Sequence, residues 1–102
     1  MLELRPVCEH CNLTLPPDSL EAMICSFECT FCRICVKELL SDVCPNCGGG
    51  FSPRPIRPAK NWKGNNCLSQ YPASTIEKHR PVHPDLHKDL VNRIGSLPPD
   101  QR

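Results

Sequence analysis

Large aromatic side chains are scarce in this chain: three Phe, one Trp and one Tyr among 102 residues. A chain so poor in bulky apolar groups buries little surface, and a small core of that kind rarely holds a fold without a covalent or metal staple. Long apolar runs are missing as well, which argues against a membrane-spanning helix. The opening residues, MLELRPVCEH, carry Glu3, Arg5 and Glu9 and lack a basic stretch followed by an apolar one, so they do not read as a secretory leader. No segment repeats at a solenoid period. These absences lead us to expect a cytoplasmic protein that touches no membrane.

What the chain has in abundance is cysteine, nine residues, and proline, twelve. In a reducing compartment clustered cysteines are metal ligands more often than disulfides, and an odd number fits full pairing poorly. Eight of the nine lie between Cys8 and Cys47. After them come Gly48, Gly49 and Gly50, then Pro53, Pro55 and Pro58, and we place a boundary there. Residues 1–54 form the cysteine-rich module and residues 55–102 a Pro-rich, basic tail. The module has four cationic and seven acidic side chains, a balance of −3; the tail has eight and four, a balance of +4. Eight thiolates on two divalent ions would take the module to about −7. A surface that grips phosphates needs the opposite sign, so nucleic acid is not the expected partner. The basic tail could fold back on the acidic module or meet an acidic partner.

The cysteine string reads Cys8-x2-Cys11-x13-Cys25-x3-Cys29-x2-Cys32-x2-Cys35-x8-Cys44-x2-Cys47. A two-residue gap lets one tight turn present two sulfurs to one ion, and two such turns complete a tetrahedron. Four consecutive pairs therefore suggest two structural zinc sites. In Cys44-Pro45-Asn46-Cys47-Gly48, Pro45 stiffens the turn and Gly48 permits a positive φ just after it. Val36, Leu39 and Leu40 share one face of a helical turn or two following Cys35. The alternation through Ile24-Cys25-Ser26-Phe27-Glu28-Cys29 predicts a strand or hairpin arm. Leu13, Leu15, Ile24, Phe27, Phe31, Ile34, Val36, Leu39 and Leu40 are the expected mini-core.

Eight ligands in four pairs, with a short helix before a closing Cys-Pro-x-Cys, resemble a RING-type cross-brace zinc finger over residues 8–47. That resemblance implies a small zinc-stabilised α+β fold with a short β-hairpin and one short helix. It also implies two zinc ions, the first held by Cys8, Cys11, Cys32 and Cys35, the second by Cys25, Cys29, Cys44 and Cys47. Cys29 stands where that family often has histidine. Sequential pairing, as in LIM-type modules, would instead join Cys8, Cys11, Cys25 and Cys29, then Cys32, Cys35, Cys44 and Cys47. The phrases CSFECTFC, from Cys25 to Cys32, and PIRP, from Pro55 to Pro58, are similar to a family of short bacterial proteins known as a domain of unknown function.

The RING resemblance raises ubiquitin ligation, yet the contact residues such domains use are missing. His10 precedes the second ligand where an apolar residue is usual, Gly48 follows the last ligand where a cation is usual, and the only Trp is Trp62 in the tail. Fully cysteine-ligated zinc leaves no open position for catalysis. An iron–sulfur run would need a shorter last gap than the eight residues before Cys44. The expected function is a non-catalytic zinc module that contacts another protein, with a ligase-like adaptor as the alternative and an iron–sulfur or nucleic-acid-binding role behind it.

In the tail, Pro84 and Gly95 mark the ends of a predicted helix over 84–94, with Leu86, Leu90, Val91 and Ile94 as its apolar stripe. That stripe either docks on the module or meets a partner. Ser74 and Glu77 have capping-box spacing, and Pro81 stops any helix they start. His79, His83 and His87 recur every four residues, but Pro81 and Pro84 break up any common metal face. Cys67 stays outside the ligand set.

Overall fold

The computed structural model describes residues 1–102. Its elements are β1 (Ala22–Ile24), β2 (Thr30–Cys32), α1 (Arg33–Glu38), β3 (Ser52–Pro53) and α2 (Pro84–Ile94), with a closing 3-10 turn over Pro99–Gln101. The three short strands form one antiparallel sheet in the order β2-β1-β3. Met23 faces Phe31 on one side and Pro53 on the other. Pro53 cannot donate to a ladder and sits on an edge strand, where that costs least. This is the expected small α+β fold, a hairpin and a short helix followed by a partly helical tail.

The predicted strand through Ile24–Cys29 is displaced. Strand geometry stops at Ile24, and residues 25–29 form the turn that joins β1 to β2, with Glu28 at φ +65°. The amide of Glu28 bonds the Cys25 carbonyl and that of Cys25 the Cys29 carbonyl. The alternation that suggested a strand belongs to a metal-binding loop. Helix α1 begins at Arg33, earlier than the sequence suggested, directly after β2. Cys32 is at once the last strand residue and the N-cap, with no side-chain hydrogen bond to the helix. Six residues are too few for a stable helix alone, so α1 depends on what anchors it.

The core is also differently composed. Leu15, Phe31, Val36 and Leu40 are buried as expected and Ile24 and Leu39 half-buried, but Leu13, Phe27 and Ile34 are exposed. Leu4, Val7, Ala22, Met23 and Val43 complete the core. Phe31 is fully buried and meets Phe51 edge-on at 5.6 Å. Six of the twelve residues in the central cluster are cysteines, so the core and the ligand set are largely the same atoms. Arg54 is buried without a carboxylate partner. Its guanidinium donates to the carbonyls of Arg5, Leu15 and Pro16, pinning the N-terminal segment beside β3.

The tail runs back across the module. The Ser74 amide bonds the Leu4 carbonyl, and Arg57 donates to the Leu2 and Tyr71 carbonyls. No helix forms over Ser74–Glu77; the Ser74 hydroxyl instead accepts the Ile76 amide in a tight turn. In α2 Pro84 stands at the start, and the His83 Nδ1 accepts the Leu86 amide as the cap. Gly95 is the C-cap, its amide on the Val91 carbonyl, and a Cβ there would lie 2.5 Å from that oxygen, so glycine fits where a side chain would clash. Leu90, Val91 and Ile94 are half-buried, while Leu86 is exposed and His87 takes the buried place. The His87 Nε2–H donates to the Leu40 carbonyl at 2.9 Å. Gly48, at φ +79°, would place a Cβ 3.0 Å from Ile94 Cδ1, so it serves both the turn and the docking of α2.

Truncating Phe31 to Ala should cost about 3–5 kcal/mol of unfolding free energy. Denaturant unfolding of the metal-replete protein checks this, and a loss below about 1 kcal/mol would contradict the placement of Phe31 at the centre of the core.

Candidate metal centre

Site 1 is assembled by two loops distant in sequence. Cys8 and Cys11 flank a turn closed by the Asn12 amide on the Cys8 carbonyl, with Asn12 at φ +64°. Cys32 ends β2 and Cys35 lies in the first turn of α1. The four sulfurs lie within 4.8 Å of one another, and those of Cys11 and Cys32 are 3.7 Å apart. A tetrahedral centre with metal–sulfur bonds of about 2.3 Å sets its sulfurs about 3.8 Å apart, so this donor set fits one ion with little movement.

Site 2 is built from the β1–β2 turn and the loop before β3. The sulfurs of Cys25, Cys44 and Cys47 cluster within the same 4.8 Å limit. Each accepts a backbone amide two residues on: Phe27 to Cys25 at 3.3 Å, Asn46 to Cys44 at 3.4 Å and Gly49 to Cys47 at 3.4 Å. Amides aimed at sulfur favour the thiolate over the thiol. Cys29, the fourth residue predicted for this site, is buried beside Cys25 and Cys44 but stands outside the three-sulfur cluster.

The grouping decides between the two pairings. Cys8 and Cys11 meet Cys32 and Cys35, and Cys25 meets Cys44 and Cys47, so the clusters are in cross-brace and not in sequential arrangement. Either cysteine group could hold a metal ion. Burial pushes the thiols of Cys29, Cys32, Cys35 and Cys44 above their ordinary value. At Cys11 burial acts in the same direction, but the Leu13 amide and the sulfurs of Cys8, Cys32 and Cys35 outweigh it and bring the thiol down.

Sequence reasoning missed the residue that joins the two sites. Glu9 sits between Cys8 and Cys11 and is only 2% exposed. Its amide bonds the carbonyl of Thr30, between Cys29 and Cys32. Its carboxylate accepts from Asn46, between Cys44 and Cys47, at 3.0 Å, and pairs with Arg80 of the tail at 2.7 Å. Arg5 approaches the other oxygen at 3.7 Å. The one available signal was a charged residue inside a ligand turn, which the string of cysteines obscured.

The remaining candidates lie elsewhere. Cys67 is buried outside both groups, 3.2 Å from the Ser69 hydroxyl, which holds its thiol below the ordinary value. The three tail histidines do not converge: His79 donates to the His10 carbonyl, His83 caps α2 and His87 bonds Leu40. His10 accepts the Val82 amide on Nδ1, which takes that nitrogen out of reach of a metal. Trp62 is exposed.

The family described as "Protein of unknown function (DUF1272)" matches residues 1–57, the span that contains both cysteine groups. An uncharacterised protein of Rhizobium meliloti (strain 1021) is 53% identical over 81 residues, covering 79% of this chain and 89% of that one. No solved structure matches.

Uptake of a divalent ion must expel the protons that burial holds on Cys29, Cys32, Cys35 and Cys44. Metal-bound thiolates have a lowered pKa, so their contribution is full at alkaline pH and is lost as pH falls. Titrating the metal-free protein at pH 7 in weak buffer should therefore release protons, and acidification should weaken binding. Uptake with no proton release would contradict ligation by these thiols.

Proposed function

The chain belongs to the DUF1272 family, and we propose that it is a structural, non-catalytic zinc protein whose loaded module contacts another protein. The observation that carries this reading is the four-sulfur group of Cys8, Cys11, Cys32 and Cys35, drawn to single-ion dimensions. All-cysteine tetrahedral sites suit zinc, a redox-inert ion of no geometric preference. We assign a second zinc to Cys25, Cys29, Cys44 and Cys47, with Cys29 joining the three sulfurs already gathered. Bound zinc would supply rigidity here, fixing two loops that the small apolar core cannot hold alone.

The arrangement is RING-like, and its surface supports a binding role over ligase activity. The face between the Cys8–Cys11 and Cys44–Cys47 loops is covered by the chain's own residues 79–83. Helix α1, Arg33-Ile34-Cys35-Val36-Lys37-Glu38, has no Trp. Four sulfurs per ion leave no position for a reacting water. The acidic balance of the module opposes a nucleic-acid role. Leu20, Phe27 and Ile34 are exposed on the module and offer apolar contact to a protein partner. No helix is long and apolar enough to cross a membrane, and the cysteine usage fits the cytoplasm.

Elemental analysis of native protein should find two zinc ions per chain in a colourless solution. Iron with visible absorption would contradict the assignment. A strong chelator should collapse the circular-dichroism signal of the module, since structural zinc contributes about 10–16 kcal/mol of apparent binding free energy in small fingers. A spectrum unchanged after complete metal removal would contradict a structural role.

A further inference from the structure

The tail does not dock at random positions. Every polar anchor of residues 79–83 falls inside the Cys8–Cys11 loop. The Arg80 amide bonds the Glu9 carbonyl at 2.8 Å. The Arg80 guanidinium bonds the Glu9 carboxylate at 2.7 Å. His79 bonds the His10 carbonyl at 3.0 Å, and the Val82 amide bonds His10 Nδ1 at 2.9 Å. The same Glu9 oxygen takes Asn46 from the Cys44–Cys47 loop. One carboxylate therefore joins a loop of each site to the tail. Further along, Arg102 donates to the Gly48 carbonyl, one residue past Cys47, and to the Asp42 carbonyl.

We propose that residues 79–83 form a metal-dependent clasp, with Arg80 and Glu9 as its positioning residues: tail docking and zinc loading stabilise one another. This rests on the zinc reading above. Two physical reasons support the coupling. The Cys8–Cys11 and Cys44–Cys47 turns each owe their shape to the ion of their own site, because small metal sites rarely persist unloaded. A segment that binds only the shaped turns must tighten the ion in return, since coupling between two binding events is reciprocal. Charge acts in the same direction. A divalent ion on four thiolates carries −2, so a loaded site attracts the Arg80 cation more than an unloaded one, over a distance within the screening length. The basic balance of the tail and the acidic balance of the module extend the same attraction along the chain.

The test uses full-length zinc-loaded protein as wild type, R80A and R80K. Arg80 lies outside the ligand loops and is itself largely exposed, and in R80A Asn46 and Arg5 remain beside the buried Glu9 carboxylate. Three quantities are read: zinc per chain, hydrogen exchange of the Arg80 and Val82 amides that bond the Cys8–Cys11 loop, and apparent zinc affinity against a competing chelator. All three proteins should hold two zinc ions. In R80A these two amides should exchange faster and zinc should bind about two- to fivefold more weakly, a range set by one partly exposed ion pair. R80K should fall between on both, because lysine keeps the charge and loses the guanidinium geometry. Faster exchange in R80A with unchanged zinc affinity would overturn the coupling, and unchanged exchange would overturn the clasp. A wild-type protein without zinc would overturn the metal reading and the clasp with it, an outcome that zinc content alone distinguishes from the other two.

Discussion

The gathering of cysteine sulfurs into two groups of single-ion size is the constraint on which the rest of this structure depends. Half of the central cluster is cysteine, and the apolar remainder is a handful of medium-sized side chains around Phe31. With sulfurs gathered at single-ion distances, the ligands serve as cross-links between segments that share little else. Site 1 ties the N-terminal turn to the β2–α1 junction, and site 2 ties the β1–β2 turn to the loop before β3. Because the pairs interleave along the chain, neither site can form without closing a loop that contains half of the other. This interleaving is what lets strands of two or three residues and a six-residue helix persist.

The tail adds a second layer built on the first. Several of its contacts fall on the ligand turns: Glu9 and His10 in one, and Gly48 just past the last ligand. Helix α2 then rests on the module through His87 on Leu40 and through Ile94 against Gly48. Burying the Glu9 carboxylate is tolerable because Asn46 and Arg80 reach one oxygen and Arg5 lies 3.7 Å from the other. The acidic module and basic tail are thus complementary in charge, and Glu9 and Arg80 meet across their boundary.

The parts of the fold legible in the sequence are those set by short-range chemistry. The cysteine string marks the ligands because two-residue spacing is a property of one turn. Pro84 and Gly95 mark the helix ends because each acts on its own backbone. The cross-brace pairing was legible only through resemblance, since spacing alone leaves sequential ligation open. Residues 25–29 misled because the alternation of Cys25, Phe27 and Cys29 with Ser26 and Glu28 mimics a strand, while the loop is shaped by sulfur positions and by Glu28 at positive φ. Leu13, Phe27 and Ile34 were expected inside on hydrophobicity; their turns and helix face are aimed outward by the adjacent ligands. Glu9 and Arg80 were invisible because they meet across some seventy residues of chain, a contact no local pattern encodes.

The central claim is that two ions, each held by four cysteine sulfurs in a cross-brace, create the core. Anomalous diffraction at the zinc absorption edge tests it most directly. The account predicts two peaks per chain, one surrounded by the sulfurs of Cys8, Cys11, Cys32 and Cys35, the other by those of Cys25, Cys29, Cys44 and Cys47. A single peak, or a second one that leaves Cys29 uncoordinated, would contradict it.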